Sequence, residues 1–258
     1  MRAGFAAAGL AAVVAMLLAG GMTGRADAPV TVSAAISLTD CLQSVAREFE
    51  KNGGSPVRFN FAASNVLSRQ IVSGAPVDVF ISADDKQMDL AASAHAIDLK
   101  TRVPLLGNRL AIVTRPGGPE VADARALLQP VFRRIAVGDP EAVPAGVYAR
   151  EYLERVGFWD ALQPKLVPVS NVRAALASVE NGSVDAAFTY ESDVGSARNA
   201  RAALVISGDA APRIVYPAAI VSRAPNRPGA EQLLTYLRTP AAATIFARYK
   251  FVPLGQGR

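Results

Sequence analysis

The order of apolar runs along the 258 residues predicts an α/β protein of two lobes, each a mainly parallel sheet covered by helices. Three observations carry that prediction. Short apolar runs with β-branched residues alternate with segments of helical period from residue 30 nearly to the end. Serine or small residues stand repeatedly where a run turns from strand to helix. Two apolar strands, near Asn108–Val113 and at Ile214–Val221, are placed to carry the chain from one lobe to the other and back.

The first unit sets the pattern. Val30, Val32, Ala34 and Ile36 read as a buried strand, and Leu38, Leu42, Val45, Ala46 and Phe49 then fall at helical spacing. Ser37 sits at the turn, and with Asp40 three residues on it approximates a capping box. The first N–H groups of a helix lack internal partners and carry the positive end of its dipole, so the same arrangement is a ready site for a small anion. Taken singly, it reads as an ordinary cap rather than a ligand site.

The unit then recurs. Pro56–Ala62 alternates as a strand, and Ala63-Ser64-Asn65 turns it into a helix over Val66–Ser73 that Gly74 ends. Val77–Ile81 is a short strand before Ser82-Ala83-Asp84-Asp85, whose carboxylates suit a first helical turn; neighbours one apart on a helix do not face each other for acid–base work. Leu105–Val113 is a strong strand, Val121–Gln129 a short helix and Arg134–Val137 a strand. Val143-Pro144-Ala145-Gly146 opens the helix that runs to about Val156. Proline is at home in a first turn, and the N–H groups from Ala145 onward are free there.

Lys165–Val169 reads as a strand, Ser170-Asn171-Val172-Arg173 caps a helix to Glu180, and Val184–Tyr190 delivers Tyr190 to a turn before Glu191-Ser192-Asp193. A tyrosine there either packs or offers its hydroxyl. Leu204–Ile206 and Ile214–Val221 are the last strands, and helices over Gly229–Leu237 and Pro240–Tyr249 close the chain. The domain division expected from this is lobe 1 at 27–108 plus 221–258 and lobe 2 at 109–220.

Composition narrows the function. Met1 and Arg2, the apolar run Phe5–Leu18 and the small residues around Ala26-Asp27-Ala28 read as a secretory leader, 1–26, with cleavage after Ala26 or Ala28. The run is too short to span a bilayer. Losing Arg2 and Arg25 leaves 25 basic against 22 acidic residues, and the arginines are scattered, so no stripe for nucleic acid or anionic lipid is expected. Cys41 is the only cysteine and His95 the only histidine. Disulfide scaffolds, cysteine-built metal sites and histidine-dependent triads are therefore excluded, and Cys41 reads as a buried helix residue. A secreted hydrolase lacks a histidine base, a serine–lysine motif and a nucleophile elbow here.

Five junctions thus carry small or hydroxylic residues: Ser37, Ser64, Ala145, Val172 and Tyr190. With AAISLTD (34–40), NFAASNVLSRQI (60–71), GAPVDVFISADDKQMD (74–89), AVGDPEAVPAGVYAREYL (136–153), NVRAAL (171–176), the Tyr190–Asp193 turn and IFARYKF (245–251), the chain is similar to the periplasmic molybdate-binding proteins of bacterial ABC importers. The resemblance implies a type II periplasmic binding protein fold, two α/β lobes joined by two hinge crossings with the ligand cleft between them. It implies that Ser37 and Ser64 donate hydroxyl and backbone hydrogens, Ala145 and Val172 backbone N–H groups, and Tyr190 its phenol, to molybdate or tungstate. It further implies a periplasmic monomer with no cofactor, no bare metal site and no enzymatic activity, partnered by a membrane permease. Ala63 and Asn65 beside Ser64, and Thr189 before Tyr190, depart from the common family pattern. The dianion is fully deprotonated, so a site of donors suffices and no cation is required. Another tetrahedral oxyanion, sulfate or thiosulfate, is the alternative ligand.

Overall fold

The computed structural model describes residues 28–254, and the leader expected over 1–26 lies outside them. The chain begins with β1 (Val30–Ala35), a single 3-10 turn at Ile36–Leu38, and helix α1 (Thr39–Lys51). β2 (Val57–Ala62), α2 (Ser64–Val72), β3 (Val79–Ile81), α3 (Asp85–Ser93) and β4 (Val103–Asn108) follow. The second lobe holds β5 (Leu110–Thr114), β6 (Ile135–Gly138), α4 (Pro144–Arg155), the short α5 (Trp159–Leu162), β7 (Leu166–Val169), α6 (Val172–Glu180), β8 (Ala186–Tyr190), the one-turn α7 (Glu191–Val194) and β9 (Arg201–Val205). β10 (Ile214–Ile220), α8 (Arg227–Leu237), α9 (Pro240–Arg248) and β11 (Val252–Pro253) complete the first.

Two sheets result among the described residues, in the orders β11-β4-β10-β3-β1-β2 and β7-β6-β8-β5-β9. β1 lies parallel to both β2 and β3, and β6 parallel to both β7 and β8, while β10 and β5 run antiparallel to their neighbours. Parallel neighbours need a helical crossover, and these helices cover the sheets. Val30, Val32 and Ala34 of β1 are fully buried and α1 turns Leu42, Val45 and Phe49 inward, the two periodicities read from the sequence.

The first crossing is a single residue, Arg109, between β4 in one sheet and β5 in the other, within the stretch expected. The return differs from expectation. Ile214–Ile220 is not the crossing and does not belong to lobe 2; it is a central strand of the first sheet, buried at all seven positions and bonded to β3 and β4. The return runs through residues 206–213, which moves the lobe 2 boundary back from 220. An unbroken apolar run signals burial on both faces, and that signal does not say in which sheet the strand lies.

Candidate functional site

All five expected residues meet around one cavity between the two sheets. Its walls include Ala35, Ile36, Ser37, Ala63, Ser64 and Ala83 from the first lobe and Val143, Pro144, Ala145, Asn171, Val172 and Tyr190 from the second. The space between these walls is about 220 Å³, including the part open to solvent. Each contributing junction lies at or just beyond the C-terminal end of a parallel strand: β1, β2, β6, β7 or β8. Open α/β sheets place ligands at that edge, because there the helix N-termini converge.

The first lobe supplies hydroxyls, and neither is spent on its own helix. The capping box expected from Ser37 and Asp40 does not form: α1 is preceded by Leu38 with no side-chain cap, and Ser37 lies in the 3-10 turn. The Ser37 hydroxyl instead meets the Tyr216 hydroxyl at 3.0 Å, and Asp40 reaches across the cleft to Arg173 at 2.8 Å. Ser64 is the first residue of α2 and likewise caps nothing. Its Oγ accepts the backbone N–H of Ala83 at 2.9 Å, which leaves its own hydrogen free to point elsewhere. Both serines are buried.

The second lobe supplies backbone. α4 starts at Pro144 with no side-chain cap, so the N–H of Ala145 stands free at the cavity wall. Two glycines make that placement possible. A Cβ on Gly146 would lie 2.0 Å from the carbonyl oxygen of Gly138, so only glycine lets the first turn of α4 rest on the end of β6. At α6 the Asn171 side chain caps Ala174 N–H at 2.9 Å, which holds the helix start and leaves the earlier Val172 N–H at the wall.

Tyr190 is 1% exposed, and its hydroxyl has no partner among the described residues. A buried hydroxyl without a partner costs on the order of 1–3 kcal/mol, and one that faces a cavity is poised for an acceptor. Burial, with Tyr216 next in effect, holds its pKa well above the ordinary tyrosine value, so it stays a donor. Among the described residues, no charged residue stands in the cavity walls. The helix starts at the walls supply positive potential there.

Three nearby carboxyl or amide groups escaped the sequence reading as site elements. Asp84 caps α3 through Gln87 N–H, and burial pushes its pKa up to about 6. Asp193, wholly buried, is likewise raised to about 6 by burial despite the Arg173 guanidinium at 3.2 Å. Asn108 and Tyr216 form the support behind Ser37, with Asn108 Nδ2 donating to the Tyr216 hydroxyl at 3.2 Å and to Ser192 Oγ at 2.9 Å. Tyr216 gave no signal because its strand reads as plain core; Asn108 was visible only as a polar residue inside an apolar run. His95 is exposed beyond α3 and Cys41 is buried in α1, both away from the site. No group of three His, Cys, Asp or Glu residues suited to a metal ion occurs among the described residues.

Two lobes, two crossings and an uncharged donor-lined cleft define a periplasmic-type solute receptor, and residues 30–252 match the family model described as bacterial extracellular solute-binding protein. The chain belongs to that family. It is 41% identical to the molybdate-binding protein ModA of Escherichia coli over 87% of this chain and 89% of the relative. It is 34% identical to ModA of Haemophilus influenzae over 92% and 95%. Among solved structures, the substrate-binding domain of a putative molybdenum ABC transporter from Clostridium difficile superposes with a TM-score of 0.70 at 29% identity, covering 88% of this chain and 99% of that one. The periplasmic molybdate-binding protein of Azotobacter vinelandii has the same fold, with a TM-score of 0.78 at 24% identity over 87% and 99%.

Proposed function

We propose that this protein binds the molybdate dianion in the periplasm, accepts tungstate in its place, and delivers the ion to the membrane permease of an ABC importer. The reading is supported by relatives that carry molybdate in their names. The observation that carries it is the cavity itself, walled by two serine hydroxyls, helix-start N–H groups and one unpartnered phenol, with no cation and no carboxylate.

A tetrahedral dianion without protons presents acceptors only, and each hydrogen bond to it contributes roughly 1.5–3 kcal/mol net. About seven such bonds exceed the several kcal/mol lost on association, which places the dissociation constant in the submicromolar range. Ser37, Ser64, Ala145, Val172 and Tyr190 are the proposed donors. The protein acts as a monomeric carrier rather than a catalyst, needs no cofactor and has no nucleic-acid partner. Monohydrogen phosphate, which carries a proton, finds no acceptor among these walls.

Calorimetric titration of the purified protein with molybdate, tungstate, sulfate and phosphate tests this. Tight one-to-one binding of molybdate and tungstate, with weak or absent sulfate binding, is expected. Binding of sulfate alone transfers the site to that ion, and silence with all four removes the receptor reading.

A further inference from the structure

A serine hydroxyl is ambivalent, since it can present either its hydrogen or a lone pair to a ligand. In an anion site the second choice is repulsive. Ser64 is committed by the backbone N–H of Ala83, which can only donate. Ser37 has no such backbone partner, and its only neighbour of this kind is the hydroxyl of Tyr216, which is itself ambivalent.

Asn108 resolves the direction. Its Oδ1 accepts the N–H of Arg109 at 2.8 Å, an obligatory donor, so the other terminal atom is the amide nitrogen. The two hydrogens of that nitrogen face Ser192 Oγ at 2.9 Å and Tyr216 Oη at 3.2 Å. Tyr216 therefore accepts from Asn108 and has its own hydrogen left for Ser37 Oγ at 3.0 Å. Ser37 accepts that hydrogen and keeps its own for the cavity. The links from Asn108 to Tyr216 and from Tyr216 to Ser37 are buried, so water does not scramble that part of the chain. The relay also begins at the hinge: Asn108 ends β4, and Arg109 is the whole of the first crossing.

We propose that Asn108 and Tyr216 are positioning residues that hold the Ser37 hydroxyl as a donor, and so make the site select oxyanions without protons over protonated ones. Neither residue touches the cavity; they act through Ser37. The inference deepens the molybdate reading and rests on it.

The test compares Tyr216→Phe and Asn108→Asp with the unaltered protein, titrating molybdate directly and monohydrogen phosphate by competition at pH 7.5. Tyr216→Phe removes one oxygen and keeps the ring that packs edge-on against Tyr190 and Phe251. It is expected to weaken molybdate about fivefold to tenfold while phosphate holds or improves. Asn108→Asp keeps the shape and reverses the relay: Tyr216 then donates to the carboxylate and accepts from Ser37, whose lone pairs turn to the cavity. Its molybdate-to-phosphate affinity ratio is expected to fall at least tenfold. An added charge or general loosening would weaken both anions alike, so ratios unchanged within twofold in both variants overturn the proposal even if absolute affinities drop. Absence of molybdate binding by the unaltered protein would instead sink the receptor reading and is recognised before any variant is made.

Discussion

The two halves of the cleft present the same chemistry by different means. The first lobe offers side-chain hydroxyls, Ser37 and Ser64, each held by a partner that fixes its direction. The second offers main-chain N–H groups at Ala145 and Val172, placed by how closely a helix start sits on a strand end. The difference teaches where each half is vulnerable. Hydroxyl donors are lost by changing the residue itself, whereas backbone donors survive most changes at their own position and are lost through their neighbours.

The largest effect should therefore come from a residue that contributes no donor of its own. Gly146→Ala puts a methyl group 2.0 Å from Gly138 O and 2.7 Å from Asp139 O, both backbone atoms that cannot swing aside. The first turn of α4 must lift off β6, carrying the Ala145 N–H with it. Molybdate affinity is expected to fall at least a hundredfold and the melting temperature by at least about 5 °C, since overpacking of this kind costs about 1–3 kcal/mol or more. Calorimetry and a thermal melt check both. Ala145→Ser, by contrast, keeps the N–H and should leave affinity within a fewfold; equal losses in the two variants would erase the distinction between the halves.

On the hydroxyl side, Ser64→Ala removes the donor and also leaves the Ala83 N–H without its acceptor. Affinity should drop at least tenfold, and Ser37→Ala should do the same, with the fold retained in each. Full affinity in both serine variants would transfer the burden of binding to the second lobe alone.

Much of this contrast was legible in the sequence. The strand and helix periods gave both lobes, small or hydroxylic residues stood at successive junctions, and the family resemblance singled out Ser37, Ser64, Ala145, Val172 and Tyr190, which the fold gathers at one edge. What stayed hidden depends on contacts far apart in the chain. Ser37 and Asp40 satisfy the spacing of a capping box, yet their true partners are 179 and 133 residues away, and those partners win because both groups are held in a tertiary contact. Tyr216 lies in an apolar run that announces burial and nothing more. The return crossing was misplaced for the same reason.

The lobes also differ in how they house a buried acid. Asp84 in the first forms no ion pair among the described residues and feels Lys86 two positions on, whereas Asp193 in the second faces the Arg173 guanidinium at 3.2 Å; each keeps one carboxylate oxygen without a hydrogen-bond partner. Burial raises the Asp84 pKa from 3.8 to about 6, so the folded state takes up its proton before the unfolded chain does. Its contribution to stability is therefore present below pH 4 and is lost as pH rises through 6. Asp84→Asn keeps the cap on Gln87 and removes that dependence. The fall in melting temperature from pH 5 to pH 7.5 should shrink by a few degrees, and an unaltered pH profile would show that Asp84 is already ionised throughout.

The smallest effect belongs to the contact that joins the halves. Asp40 on α1 and Arg173 on α6 pair across the cleft at 2.8 Å, with side chains 45% and 25% exposed. Lys86 Nζ also donates across the cleft to the backbone carbonyl of Glu141 at 3.1 Å, a hydrogen bond rather than an ion pair. Half-exposed pairs contribute about 0.2–1 kcal/mol and are screened by salt. Asp40→Asn should therefore weaken molybdate only about twofold to fivefold, mainly through faster release, and the deficit should fade as ionic strength rises. Stopped-flow release at low and high salt separates the outcomes. A loss that persists at high salt would mean that Asp40 acts through Ser37 in the neighbouring turn and belongs to the first lobe's donor machinery rather than to its closure.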